Sequence, residues 1–306
     1  MSLKIIFMGT PQFSIPTLNL ILKNKHSINV IYSQIPKQSK RGLKVIDTPV
    51  IDFAKKNKLL FRCPEKLNNN EEFNFIKNLS ADLAVVVAYG QLIPKKFLDL
   101  TKFGFINLHT SLLPKWRGAA PIQRAIMNGD KKTGVTIIKI QEKLDSGPII
   151  DSSEINLNSE STFGDTEKKL SKIGANLIIK NLVKIEKKQT VLLEQNHSLA
   201  SYAKKIKKEE CKIDWNLDAE KILNRINGLS PVPGAWFEHK NKRYKILKAK
   251  LVYSKGEPGR IINDNLTVAC KSNSISIIEI QREGKKRQNI KEFLLGNFLK
   301  IGTSLI

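Results

Sequence analysis

The first half of the chain alternates short apolar runs with stretches of helical periodicity. Residues 4–8, 28–32, 83–88, 105–108 and 135–140 are four to six residues long and rich in Ile, Val, Leu and Phe, so each predicts a buried strand. Between them Ile15, Leu18 and Leu22 recur at helix spacing, as do Phe73, Ile76 and Leu79. Strands wound with crossover helices predict an α/β domain built on a largely parallel sheet. Residues 163–188 then read as one long amphipathic helix, with Leu170, Ile173, Leu177 and Ile185 as its apolar stripe.

Beyond that helix the texture changes. A polar stretch, 189–208, has no sustained period and reads as a linker between a catalytic domain at 1–188 and a second domain at 209–306. The second domain opens with a helix over 218–227. Stretches at 236–252, 259–262, 266–270 and 275–280 follow and read as short strands separated by Asn, Gly and Lys turns, with a last helix at 290–299. That pattern predicts a small OB-like β-barrel. No internal repeat interrupts it.

Charge changes the picture more than composition does. The chain has 306 residues and an ordinary apolar fraction of 41%, but 52 Lys and Arg face 28 Asp and Glu, a net charge of +24. Such a surface attracts polyanions, and nucleic acid is the expected partner. Cys63, Cys211 and Cys270 lie far apart without metal-ligand or disulfide-framework spacing, and no two of the four His residues stand at ligand spacing, so no metal is expected. No apolar run approaches the ~18 residues that a membrane helix requires. Residues 3–8 read as a first strand, so no signal or transit segment is expected before it. A bacterial-type cytoplasmic protein, a monomer without membrane contact, is the expectation. His26, His197 and His239 are expected at the surface.

The stretch FINLHTSLLPKWRG at 105–118 carries candidate chemistry. Side chains alternate along a strand, so Asn107 and His109 share one face while Leu108 points to the other. An amide and an imidazole thus converge at the carboxyl end of a strand, where open α/β sheets generally bind ligands. Farther on, GVTIIKIQEKLDSGPII at 134–150 runs from a strand into a turn that carries Asp145. Alone, a carboxylate beside a turn reads as an Asx-turn. No dinucleotide-binding glycine pattern, Walker sequence, nucleophile elbow or H-E-x-x-H is present.

Together these two stretches resemble the folate-dependent formyltransferase family. Its signature is an Asn, a His two residues later, an S-L-L-P loop and a downstream Asp in an L-D-x-G setting, matched here by Asn107, His109, Ser111, Leu112, Leu113, Pro114 and Asp145. The resemblance extends through FMGTPQFS at Phe7, VVVAYGQLIP at Val85, RGAAPIQRAIMNGD at Arg117 and on to the distal barrel. Within the family, YAKKIKKEECKIDW at Tyr202 and SPVPGAWF at Ser230 look like the linker and second-domain entry of members that formylate methionyl-initiator-tRNA.

The resemblance implies a Rossmann-like catalytic domain and 10-formyltetrahydrofolate as co-substrate. It makes Asn107 and His109 donors to the formyl oxygen and Asp145 the group that orients His109. It places the pterin against Tyr89, Gly90, Gln91, Leu92 and Ile93, with Ser111 to Pro114 fixing the folate. Arg41, with Lys37, Lys40 and Lys44, would meet tRNA. The segment at 33–49 is looser than the family's proline-rich basic pattern, though Arg41 and Gly42 are retained, and Thr110 stands where a smaller residue is usual. A formyltetrahydrofolate hydrolase module and a sugar-nucleotide formyltransferase are the alternatives the same signature allows.

Overall fold

A computed structural model describes residues 2–38, 45–296 and 299–305. Its contacts divide the chain into two compact units. The first comprises Met1–Gly118, Gly134–Glu154 and Lys168–Tyr202; the second comprises Ala119–Thr133, Ile155–Glu167 and Ala203–Ile306. The polar stretch at 189–208 is therefore divided, its residues up to Tyr202 counting with the first unit.

The first unit is built on strands β1 (Lys4–Gly9), β2 (Ser27–Tyr32), β3 (Phe61–Arg62), β4 (Leu83–Val87), β5 (Phe105–His109), β6 (Lys132–Lys139) and β7 (Ile149–Asn156), arranged in the order β7-β6-β5-β4-β1-β2-β3. The central strands pair in parallel: β1 with β2 and β4, β2 with β3, β4 with β5. β5 and β6 pair antiparallel. A parallel sheet is covered on both faces, which is why β1 and β4 are apolar at almost every position rather than alternating. Ile6, Met8, Val30, Tyr32, Ala84, Val86 and Phe105 form one core face with Ile76. Helix α1 (Ile15–Lys23) buries Leu18 and Ile21, and α3 (Asn70–Asn78), capped by the Asn69 side chain, buries Ile76.

The expected pattern omits several elements, among them β3, a helix before β3 and strand β7 in the first unit. A helix α2 (Pro49–Lys56) starts where Thr48 accepts from the Ile51 amide at 3.2 Å and Pro49 fills the first turn, which costs no hydrogen bond. Strand β7 alternates half-buried with exposed positions, so its sequence IIDSSEIN lacks the apolar run that betrays the central strands. His26, expected at the surface, is 8% exposed. Its Nδ1 accepts from the Leu3 amide at 3.2 Å, and burial lowers its affinity for a proton.

In the second unit, helix α4 (Pro121–Asn128) packs on α6 (Ala219–Leu229), while α5 (Phe163–Glu186) has only its first turn in this unit. The axes of α4 and α6 approach closely at Gly228, where an added Cβ would lie 2.6 Å from the Met127 side chain and 3.0 Å from the Gln123 carbonyl. Strands β8 (Ala235–His239), β9 (Lys242–Val252), β10 (Ile261–Asn263), β11 (Thr267–Ala269), β12 (Ser274–Arg282) and β13 (Gln288–Asn289) make an antiparallel sheet ordered β8-β9-β12-β11-β10, with β13 also on β12. Phe237 stacks on Tyr244 at 5.3 Å, and the short helix α7 (Ile290–Leu295) adds Phe293 edge-on at 5.9 Å.

Arg124 of α4 grips Glu210 with two nitrogens, at 2.6 and 3.0 Å, and donates to the Lys204 and Lys205 carbonyls. The Arg124 hydrogen bonds hold the Glu210 carboxyl down at about 2. A depressed carboxylate pKa contributes stability that is present above the unfolded value and lost as pH falls through the folded one. Glu210→Gln is therefore expected to lower unfolding free energy by about 2 kcal/mol at pH 7 after allowance for solvent screening. That difference should shrink between pH 5 and pH 2 in urea titrations. An equal difference at both ends would show that the pair contributes through packing alone.

Candidate active site

Strand order reverses beside β1: the chain moves outward through β2 and β3, then returns to place β4 on the other side of β1. Such a reversal leaves a crevice at the strands' carboxyl ends, because the two crossover connections leave on opposite faces. Here the turn after β1 and the loop after β4 flank that reversal. Thr10 Oγ1 donates to the Tyr89 carbonyl at 2.8 Å, and Ser14 Oγ donates to the Val87 carbonyl at 2.7 Å, fixing both lips. The next strand is β5, which carries Asn107 and His109.

Asn107, His109 and Asp145 meet there. His109, 6% exposed, sets Nδ1 at 3.6 Å from Asp145 Oδ2, and Asn107 Nδ2 donates to Asp145 Oδ1 at 3.5 Å. Asp145 Oδ2 also accepts from the Gly118 amide at 2.8 Å. The other imidazole nitrogen lies 2.9 Å from the Trp116 carbonyl, which can only accept, so Nε2 carries a proton. Of the three groups Asn107 is thus the least committed, its one side-chain bond among the described residues being long and weak. Asp145 itself sits at φ +48°, a left-handed conformation uncommon among non-glycine residues and tolerated by Asp better than by most. At Gly147 the chain passes so close to β6 that an added Cβ would lie 1.8 Å from the Lys139 carbonyl.

The loop Ser111 to Pro114 is anchored from beneath. Ser111 Oγ donates to the Lys115 carbonyl at 2.6 Å, Thr136 Oγ1 donates to the Ser111 carbonyl at 2.7 Å, and the Leu113 amide donates to Thr136 Oγ1 at 3.2 Å. Ser111 and Leu113 are buried, so this loop offers a ligand mainly backbone and Leu112. In the loop after β4, Tyr89 is 1% exposed and Gln91 spends its amide on the backbone of Pro64 and Leu67, at 3.0 Å each. Ile93 packs on the sheet core, whereas Leu92 is 78% exposed. Lys37 forms a two-residue strand pairing with Ile46, and Lys40, Arg41 and Lys44 lie outside the described residues.

Two participants had no sequence signal: the Trp116 carbonyl and the Gly118 amide are backbone groups, so residue identity cannot reveal them. Among the described residues, no group of three His, Cys, Asp or Glu side chains is placed to hold a metal ion. No described helix is long and apolar enough to cross a membrane.

An amide, an imidazole and a carboxylate at the carboxyl end of β5 beside two anchored loops are equipped for group transfer to or from a carbonyl. The family model for formyl transferase matches residues 3–182, and that for the formyl transferase C-terminal domain matches residues 205–297. The chain belongs to the formyl transferase family. Its relatives within that family are methionyl-tRNA formyltransferases. That of Pelagibacter ubique is 47% identical across 100% of this chain and 99% of its own length, and that of Chelativorans sp. is 42% identical with 100% of both chains covered. Solved structures add a likeness of fold. HypX from Aquifex aeolicus in complex with tetrahydrofolic acid has a TM-score of 0.70 at 15% identity, covering 98% of this chain and 48% of its own. This chain thus spans about half the length of HypX. The N-formyltransferase from Helicobacter canadensis, in complex with folinic acid and dTDP-3-aminofucose, has a TM-score of 0.69 at 20% identity, with 90% and 99% covered.

Proposed function

We propose that this chain transfers the formyl group of 10-formyltetrahydrofolate to the amino group of methionyl-initiator-tRNA. The observation that carries the reading is full-length identity of 40% and more to methionyl-tRNA formyltransferases, with Asn107, His109 and Asp145 gathered in one site.

The aminoacyl amine attacks the formyl carbon, the bond from that carbon to N10 of the folate breaks, and the proton lost by the new ammonium ends on N10. An α-amino group titrates near pH 8 or below, so the nucleophile needs no strong base. The barrier lies in charge that builds on the formyl oxygen. Asn107 Nδ2, the least committed donor, meets that oxygen. His109 Nε2 reaches it by exchanging the Trp116 carbonyl for the substrate, and Asp145 fixes the ring from Nδ1. The folate lies along Tyr89, Gly90, Gln91, Leu92 and Ile93, held by backbone groups and covered by the exposed side chain of Leu92, with Ser111 to Pro114 at its other side.

In this reading residues 1–188 carry the chemistry, 189–208 the connection, and 209–306 a sheet that closes as an OB-like barrel to hold tRNA. The protein acts as a cytoplasmic monomer. Formyl transfer from labelled 10-formyltetrahydrofolate to charged initiator tRNA tests the core of the proposal, with uncharged tRNA, water and a sugar nucleotide as competing acceptors. Label on methionine ester alone is the expected result. Label released as formate, or found on the sugar nucleotide, would reassign the acceptor.

Arg41, Lys37, Lys40 and Lys44 are proposed to meet the tRNA backbone, consistent with the net charge of +24. Each phosphate neutralised releases condensed counterions. Arg41→Ala is therefore expected to weaken tRNA binding and make the log-log salt slope shallower by up to roughly one unit, with folate binding unchanged. Equal slopes for both proteins would remove Arg41 from the interface.

A further inference from the structure

Behind the turn that carries Asp145 lies a buried group of side chains with no place in the chemistry above. Gln195 is 5% exposed and every polar atom of its amide is engaged. Its Nε2 donates to the Asp145 carbonyl at 3.0 Å and to the Gly147 carbonyl at 2.7 Å. Its Oε1 accepts from Arg117 Nη2 at 2.6 Å and Nε at 3.2 Å. The amide cannot be turned over, because guanidinium only donates and the two carbonyls only accept.

Arg117, 4% exposed, completes the arrangement through a 2.8 Å bond to His197 Nδ1, which must be the unprotonated nitrogen of that ring. The segment bearing Gln195 and His197 is bound on both sides of them. Leu193 and Ile149 exchange amide-to-carbonyl bonds at 2.9 and 2.7 Å, and the Arg117 amide donates to the Ser201 carbonyl at 2.8 Å. Arg117 also immediately precedes Gly118, whose amide holds the Asp145 carboxylate. Asp145 is thus gripped twice, by its carboxylate through the Gly118 amide and by its backbone carbonyl through Gln195. The left-handed region is open to Asp but is not its commonest conformation, so a grip on the turn keeps the carboxylate from swinging away from His109.

We infer that Gln195, seated by Arg117, is a positioning residue that holds the Asp145 turn in its reactive conformation. The inference rests on the reading of Asp145 as a participant in formyl transfer. It also makes part of the polar stretch after α5 a component of the active site.

The informative substitution is Gln195→Glu, which retains acceptors for Arg117 but loses the donor to the two carbonyls. Gln195→Ala is its companion, and both are made in the wild type and in an Asp145→Asn background. The readouts are kcat and both KM values for formyl transfer to charged initiator tRNA, with circular dichroism for folding. Gln195→Glu is expected to lower kcat by ~10- to 100-fold while both KM values stay within about twofold, since misplacing a reacting group by about 1 Å costs on that order. In the Asp145→Asn background the same substitution should cost less than about twofold, because two residues acting through one element are not additive. Multiplicative losses, a change confined to KM, or failure of both variants to fold would show an ordinary structural role and overturn the inference. A large Asp145→Asn loss beside unchanged kcat in Gln195→Glu sinks the inference alone. Near-normal turnover in Asp145→Asn sinks the catalytic reading and, with it, this one.

Discussion

Alanine at Asn107, His109 or Asp145 is expected to lower turnover of charged initiator tRNA by at least ~10²-fold, with the fold intact. The geometry says why the three losses should be of similar size. Asn107 has the N–H with the weakest protein bond, so its removal deletes a donor that costs nothing to redirect. His109 links the Trp116 carbonyl to the Asp145 carboxylate, so its removal deletes the second donor and leaves that carboxylate facing a gap. Asp145 gathers the Asn107 amide, the His109 ring and the Gly118 amide around one carboxyl group, so its loss unfastens all of them. Groups that act as one assembly are not additive, and the triple variant should be little worse than the weakest single one. Rapid-quench measurement of formyl-methionyl-tRNA, on proteins whose circular dichroism matches wild type, decides the matter. A folded His109→Ala protein with near-normal turnover would refute the assignment.

Gly147→Ala is expected to be nearly as damaging, although the residue touches no substrate. The added methyl would collide with the Lys139 carbonyl at 1.8 Å, and β6 cannot yield without breaking its pairing with β5. The turn must move instead. Forcing a backbone apart in a packed region costs about 1–3 kcal/mol of stability, and displacing a reacting carboxylate by about 1 Å costs on the order of 10²-fold in rate. Both losses should appear together, as a lowered urea midpoint and a lowered kcat. A Gly147→Ala protein with wild-type kcat would show that the turn has slack which the close approach at Lys139 denies.

The central strands were legible in the sequence because both faces of a parallel sheet are buried, and unbroken apolar runs have few other uses. For the same reason β7 escaped, since an edge strand of mixed exposure leaves no run. Helix α4 escaped because Pro121 in RGAAPIQRA looks like a break, whereas at a first turn it fits without loss. Asn107 and His109 were readable as a pair from strand periodicity alone. Asp145 was not, because nothing local distinguishes it from an Asx-turn, and its partnership depends on the antiparallel return of β6 along β5. Gln195 lay in a stretch of low periodicity that suggested solvent exposure; its burial follows from contacts with Arg117 that are remote in sequence.

The chain order of the second unit bears on its synthesis. Helix α4 packs on α6 where Gly228 meets Met127 and Gln123, yet α6 leaves the ribosome about a hundred residues later, a delay of roughly 5–20 s at ordinary elongation rates. Throughout that interval α4 is tethered to a nascent chain without that partner. A ribosome stalled between α4 and α6 would display α4 without its partner helix rather than a finished half of the molecule.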